Sequence, residues 1–135
     1  MNKSNRLLWI AAVLTLVFQT GCAQLGYQRA PKKGEVEHVV LLWLKEPGNA
    51  AQRATLVEAT RSFAAIPGIR SISAGAPLAS DRPVVDDSFD VALVIRFESK
   101  AALDAYEAHP VHTKAVKEVL LPVTRKLVVH DYTVQ

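Results

Sequence analysis

Cysteine is almost absent from this chain of 135 residues, which contains it once, at position 22. A single cysteine cannot form a disulfide within the chain, so the fold depends on its apolar core even in an oxidising compartment. The basic residues do not cluster as they do in a nucleic-acid-binding protein. The sequence also contains no glycine-rich phosphate loop, nucleophile elbow, zinc-ligand spacing or internal repeat. We therefore expect neither nucleic-acid binding nor a metal, and no other cofactor.

Long apolar runs are scarce as well, and the one at residues 7–18 is too short to span a bilayer comfortably. It follows the basic residues Lys3 and Arg6, which is the pattern of a signal peptide over residues 1–21. The run ends at Gln-Thr-Gly-Cys, residues 19–22, which resembles the lipobox of bacterial lipoproteins. In that class the cysteine thiol is acylated and becomes the mature N-terminus. The alternative is a signal peptide that is cleaved elsewhere and merely contains a thiol.

The resemblance implies that Cys22 is lipidated and attaches the chain to a membrane. Ala23 stands where an aspartate would retain a lipoprotein at the inner membrane, so the outer membrane of the cell envelope, facing the periplasm, is favoured. Residues 22–35 are rich in Gln, Gly, Lys and Pro without periodicity, and we expect a flexible tether there. The mature chain has 14 basic and 13 acidic residues, so much of the apparent basicity belongs to the signal peptide.

Residues 36–135 carry four strand patterns and two helix patterns. Helices are predicted after the capping residues Asn49 and Ser99; Pro110 interrupts the second and Pro122 limits it. The order β-α-β-β-α-β is the ferredoxin-like split arrangement, an α+β fold with helices on one face of a four-stranded antiparallel sheet. The predicted strands, which are apolar and end at turn-forming residues, are 37–44, 69–74, 89–97 and 125–132.

The first predicted strand is apolar on both faces. Val39, Leu41 and Trp43 alternate with His38 and two aliphatic residues, whereas one layer of helices covers only one face. Monomers seldom expose a large contiguous apolar patch. We therefore predict a homodimer in which a second copy packs sheet to sheet against Val39, Leu41 and Trp43, closing a dimeric α/β barrel.

The stretch from Tyr106 to His112 places the phenol of Tyr106 and the imidazoles of His109 and His112 within seven residues. Pro110 ends one helix and can begin the next, so the stretch forms a corner that can aim Tyr106 and His112 at one point. A histidine can accept a proton near neutral pH, and a tyrosine can donate a hydrogen bond to a developing oxyanion. The alternative is structural, with the three side chains hydrogen-bonded to fix the corner.

Six short motifs of the chain recur together in one known family. They are His38-Val-Val-Leu, Ile66-Pro-Gly-Ile, Phe89-Asp-Val-Ala-Leu-Val, Phe97-Glu-Ser, Tyr106-Glu-Ala-His-Pro-Val-His and His130-Asp-Tyr. With these motifs the chain resembles the Dabb family, the stress-responsive dimeric α/β-barrel domain, over about residues 36–133. The resemblance implies the same fold and a homodimer, whereas most members of the family have no established activity.

One plant branch of this family is similar to a polyketide cyclase. There a histidine matching His112 is the general base and a tyrosine matching Tyr106 orients or polarises the substrate, in a pocket lined by a histidine matching His38. Val91 stands where that branch has a further pocket histidine. The resemblance thus implies a ligand pocket between sheet and helices, formed by His38, Tyr106, His109, His112 and Val91.

Three functions follow as hypotheses. The first is a lipid-anchored homodimeric module that binds a small apolar ligand or acts in a stress response without catalysing a reaction. The second is a cofactor-free enzyme similar to a cyclase or isomerase, with His112 as base and Tyr106 as polariser. The third is a purely structural envelope protein. A pocket reached by His38, Tyr106 and His112 would favour the first two hypotheses, and side chains filling that space would favour the third.

Overall fold

The computed structural model describes residues 29–135, so the predicted signal peptide, Cys22 and the first part of the predicted tether lie outside the described residues. The strands and helices are β1 (Val36–Leu44), α1 (Ala50–Arg61), β2 (Ile69–Gly75), β3 (Val91–Phe97), α2 (Lys100–Ala108), α3 (Pro110–Ala115), α4 (Leu121–Val123) and β4 (Thr124–Thr133). A 3₁₀ turn, Ser62–Ala65, extends α1, and a π-helical turn, Val116–Leu120, joins α3 to α4. Within residues 29–135, no helix combines the length and apolar character needed to cross a membrane.

The four strands form one sheet in the order β2-β3-β1-β4, and every neighbouring pair is antiparallel. This confirms the predicted ferredoxin-like fold. The central strand β1 pairs on one side with β3 and on the other with β4, which places His38 opposite Ile95 and Asp131. One face of the sheet, the inner face, packs against the helices and forms the core, while the other, the outer face, carries Val39 and Leu41.

Local signals in the sequence explain where the helices begin. The side chain of Asn49 accepts a hydrogen bond from the Gln52 amide at 3.0 Å, and that of Ser99 accepts one from the Ala102 amide at 3.2 Å.

Gly68 follows the 3₁₀ turn with a φ of +86°, and a Cβ there would lie 2.6 Å from the Cβ of Ala102. Only glycine therefore allows α2 to approach the start of β2 so closely.

The third strand begins at Val91, two residues later than predicted. Asp90, just before it, is buried, and its carboxylate accepts hydrogen bonds from the amides of Leu44 at 2.8 Å and Gly48 at 2.6 Å. Its own amide donates to the Leu42 carbonyl at 2.8 Å. Asp90 thus closes the turn after β1, a role that the alternating pattern did not reveal.

Residues 29–35, called the pre-strand segment below, are hydrogen-bonded to the sheet. The Gly34 amide donates to the Val134 carbonyl at 3.0 Å, and the Val134 amide donates to the Glu35 carbonyl at 2.9 Å. The buried Glu35 carboxylate accepts from the Lys32 amide at 2.9 Å and from the Arg29 guanidinium at 2.6 Å. The Lys32 amide first, and the Arg29 guanidinium after it, lower the pKa of Glu35 against the opposing effect of burial.

Residues 29–135 thus contain the whole sheet, its helical layer and a continuous core of buried apolar side chains. A domain with its own core can fold independently. We therefore expect this part of the chain to fold as one unit.

Candidate functional site

Tyr106 lies at the centre of a cluster of rings between the helices and the sheet. It is 1% exposed, and the centroid of its ring is 4.2 Å from that of His112 and 5.0 Å from that of Phe97. Phe63 follows at 5.5 Å and His38 at 5.9 Å. These five residues, called the Tyr106 cluster below, come from β1, the 3₁₀ turn, β3, α2 and α3.

The predicted corner produces the contact between Tyr106 and His112. Helix α2 ends at Ala108, and Pro110 occupies the first turn of α3, where its missing amide hydrogen costs nothing. His109 caps α3, because its Nδ1 accepts a hydrogen bond from the Val111 amide at 3.2 Å. The change of direction at this corner brings the His112 ring back onto the Tyr106 ring.

The tautomer of His112 follows from its hydrogen bond. Nδ1 lies 3.1 Å from the carbonyl oxygen of Glu107. A carbonyl oxygen can only accept, so Nδ1 must carry the hydrogen, and in the neutral ring Nε2 keeps its lone pair. His112 is half-buried, and in this tautomer Nε2 has the chemistry of a general base.

His38 is held by a partner on the neighbouring strand. Its Nδ1 lies 2.6 Å from a carboxylate oxygen of Asp131, the residue opposite it on β4. Since an ionised carboxylate only accepts, Nδ1 donates, and this bond fixes the orientation of the ring. His38 is buried whereas the Asp131 side chain is 41% exposed, so the pair lies at the border between the core and the solvent beside β4.

Tyr106 is a neutral phenol in this environment. Burial in the cluster, and to a smaller extent the charge of Glu107, raises the pKa of Tyr106 well above its ordinary value. A neutral phenol can donate a hydrogen bond. The Tyr106 cluster therefore combines one potential base, His112, with one potential donor, Tyr106.

The structure brings His38, Tyr106 and His112 together, but not the other two predicted pocket residues. His109 is half-buried and is engaged in capping α3. Val91 is fully buried on the inner face, opposite Leu42, and lies four residues along β3 from Ile95. That separation is about 13 Å in an extended strand, so Val91 belongs to another part of the core than His38.

The space around the Tyr106 cluster is filled by side chains, since Phe63 and Phe97 are as deeply buried as Tyr106. Clefts on residues 29–135 open elsewhere, among them one of about 570 Å³ between α1 and β2 and one of about 370 Å³ between α2 and the end of β4. Asp131 lines the second cleft and so connects it to His38. No three His, Cys, Asp or Glu side chains in residues 29–135 are grouped as a metal site requires.

The edge strand β4 leaves apolar surface uncovered beside this site. Leu127 and Val129 lie opposite Leu42 and Val40, on the inner face of the sheet, yet they are 42% and 41% exposed. The helices leave Leu127 and Val129 uncovered. An apolar strip therefore leads along β4 toward Asp131 and His38.

The outer face of the sheet has an apolar centre and two polar ends. Val39 and Leu41 are half-exposed at the centre, whereas Arg96 donates to the buried carboxylate of Glu37 at 2.6 Å at one end. At the other end Trp43 is covered within the single chain, 5% exposed. Its indole donates to the Ser88 hydroxyl at 3.1 Å, and the Lys126 ammonium lies 4.2 Å from its ring centroid.

Comparison with known proteins decides the family. Residues 36–134 match the family model described as Dabb, the stress responsive A/B barrel domain. The chain belongs to the Dabb family. A relative is a stress-response A/B barrel domain-containing protein of Arabidopsis thaliana, 29% identical over 102 residues. The match covers 76% of this Dabb chain but only 38% of the plant protein, so the chain spans well under half of that relative.

Solved structures of other proteins have the same fold. A Dabb family protein of Mesorhizobium loti, described as ferredoxin-like, is 25% identical with a TM-score of 0.62; 76% of this chain and 99% of that chain are covered. A dimeric ferredoxin-like protein of unknown function from a Jannaschia species is also 25% identical, with a TM-score of 0.62 and coverage of 75% and 100%. The predicted family and fold are thus confirmed, and some structural neighbours of the chain are described as dimeric.

Sequence reasoning missed three members or partners of the site. Asp131 was recognised only as part of a motif, because its contact with His38 depends on the register between β1 and β4. Phe63 and Phe97 have no local signal that links them to Tyr106. Phe63 lies seven residues after Leu56, a helical spacing that indicates the direction in which it points but not which ring it meets.

Proposed function

We propose that this Dabb chain is a lipid-anchored homodimer of the cell envelope that binds a small apolar ligand and catalyses no reaction. The packing of the Tyr106 cluster is the observation that carries the non-enzymatic part. Phe63, Phe97 and Tyr106 are each at most 1% exposed, so they leave little room for a substrate over His112. An enzyme needs its base within hydrogen-bond reach of the proton that it removes.

The outer face supports the homodimer. Its apolar centre, with Val39 and Leu41, lies between the Glu37–Arg96 pair and the covered Trp43, which is the arrangement of an interface core with a polar rim. Three of the structural neighbours are described as dimeric. If a second copy packed on this face, the apolar centres of both protomers would be buried against each other.

Side chains fill the predicted pocket around Tyr106, which by itself would favour a purely structural protein. The exposed strip on β4 is the observation that supports an apolar ligand instead. Leu127 and Val129 offer apolar surface, and the cleft at the end of β4 adds Asp131 and, through it, His38. Apolar walls with a few polar groups are typical of small-molecule sites. A ligand with an apolar body and one hydrogen-bonding end fits this surface.

The lipid anchor has a direct test at Cys22. We expect cells that express the protein with radioactive palmitate to produce a labelled band, and the substitution Cys22→Ser to abolish the label, because the acyl chains need the thiol. Immunoblotting for equal expression is the control. Label on the serine variant would show that Cys22 is not the acylated residue.

A cofactor-free cyclase- or isomerase-like enzyme is the second candidate function. The contact between His112 and Tyr106, with the free lone pair on Nε2 of His112, favours it. In such an enzyme Nε2 would remove a proton from carbon next to a carbonyl group, and the Tyr106 hydroxyl would donate to the carbonyl oxygen. This chemistry requires the cluster to open, since its rings are packed together.

One experiment separates the two candidates. A small molecule that co-purifies with the protein is identified by mass spectrometry and incubated with the purified dimer and with His112→Ala. A binding module should leave the molecule unchanged, and the variant should bind it with an affinity within about threefold of the wild type, since His112 lies apart from the strip on β4. Conversion by the wild type, lost in His112→Ala without loss of folding by circular dichroism, would establish the enzyme instead.

A further inference from the structure

Five basic residues gather where the pre-strand segment meets the sheet. Arg29, Arg70 and Arg96 surround a small cleft of about 80 Å³ together with Glu35, and the Arg96 guanidinium donates to the Arg29 carbonyl at 3.0 Å. Lys32 and Lys33 are exposed on the same segment. These five residues are called the cationic end below.

The acidic partners of the cationic end are largely hidden behind it. Glu35 pairs with Arg29 and Glu37 pairs with Arg96, and both carboxylates are buried, at 5% and 4% exposure. The side chain of Arg29 by contrast is 56% exposed. The surface that solvent meets is therefore mainly basic.

Within residues 29–135, the excess of basic over acidic residues is found only at the cationic end. The cationic end has five basic residues against three acidic ones, the third being Glu98, which pairs with Arg70 at 2.7 Å. The remainder of residues 29–135 has nine basic and ten acidic residues. The positive charge of the described chain thus resides at this end.

This end is also where the chain leads to the proposed anchor. Six residues, 23–28, separate Cys22 from Arg29. A chain of that length spans about 25 Å when fully extended. If Cys22 is acylated, the cationic end cannot move farther than that from the headgroups.

We propose that the cationic end binds the phosphate groups of anionic phospholipids in the membrane that carries the anchor. This proposal rests on the lipid anchor of the proposed function. Guanidinium and ammonium groups hydrogen-bond to phosphate, and each one near an anionic bilayer strengthens binding about fivefold. The acyl chains hold the protein at the membrane, and the cationic end fixes which end of the sheet faces the headgroups.

The test uses the chain from residue 22 onward without acyl chains, so that headgroup binding is measured apart from lipid insertion. The protein is co-sedimented with vesicles of phosphatidylcholine alone and of phosphatidylcholine with phosphatidylglycerol. We expect binding only to the anionic vesicles and its loss in high salt. The double variant Lys32→Gln/Lys33→Gln should bind roughly 30-fold more weakly, from the loss of two such contributions.

The matched control is Lys114→Gln/Lys117→Gln, which removes the same charge from exposed lysines after the corner of α2 and α3. The affinity of this variant for the anionic vesicles should be within about threefold of the wild type's. Equal losses in the two double variants would reveal a general effect of net charge and overturn the proposal, as would equal binding to both vesicle types or to neither. The palmitate label at Cys22 reports separately on the anchor, so failure of the anchor and failure of the cationic end give different results.

Discussion

The substitution Leu41→Asp should convert the proposed dimer into a monomer that remains folded. Leu41 is half-buried at the apolar centre of the outer face, so a carboxylate there can still reach water in the single chain. In a sheet-to-sheet dimer each protomer would bury that carboxylate without a partner. If burying the unpaired carboxylate costs about 3 kcal/mol in each protomer, the association constant would fall roughly 10⁴-fold.

Sedimentation velocity at micromolar concentration measures this outcome, and circular dichroism checks that the monomer is folded. Leu78→Asp is the matched control, because Leu78 is 87% exposed on the loop between β2 and β3 and accepts a charge without burial. An intact Leu41→Asp dimer would show that the outer face is not the interface. Trp43→Asp is less informative, since Trp43 is already covered within one chain and its loss would damage the fold itself.

A second large effect is expected at Tyr106. Tyr106→Ala should lower the free energy of unfolding by about 3–5 kcal/mol, because it leaves a cavity among four other rings. Tyr106→Phe keeps the ring and removes only the hydroxyl, so its cost should be about 1 kcal/mol or less. Urea denaturation followed by circular dichroism gives both values.

The pair of variants also separates two roles of Tyr106. If the residue serves packing alone, Tyr106→Phe should retain ligand binding as well as stability. A stable Tyr106→Phe protein that has lost turnover of the co-purified molecule would support the cyclase-like candidate. A small loss of stability in Tyr106→Ala would contradict the packed cluster, because it would mean that the space around the ring is already open.

Much of the fold could be predicted because its signals are local. Asn49 and Ser99 mark helix starts through their own side chains, and Pro110 marks the corner through its missing hydrogen. The alternation of side chains along each strand indicated which residues share a face of the sheet. Each of these signals depends on a few neighbouring residues, which a sequence displays directly.

The site was less predictable because its contacts join distant segments. The pair of His38 and Asp131 spans 93 positions and exists only in one register of β1 against β4. Asp90 looked like an ordinary strand residue, although its carboxylate holds the turn after β1. The motif identified the residues around Tyr106, but burial, which determines their chemistry, depended on how Phe63 and Phe97 pack.

The central position of β1 has a consequence for how this domain tolerates sequence change. Seven of its nine residues are buried, and consecutive ones face the helices and the outer face in turn, so His38 meets Tyr106 while Val39 lies on the opposite side. A replacement in β1 at any position other than Val39 and Leu41 therefore disturbs a packed neighbour on one side of the sheet. On the edge strand β4, eight of ten residues are exposed, so replacements there disturb the packed core less, apart from Leu127, Val129 and Asp131, which form the strip and hold His38. A change of sequence that leaves the core intact is thus easier to place on the edge strand than on its neighbour.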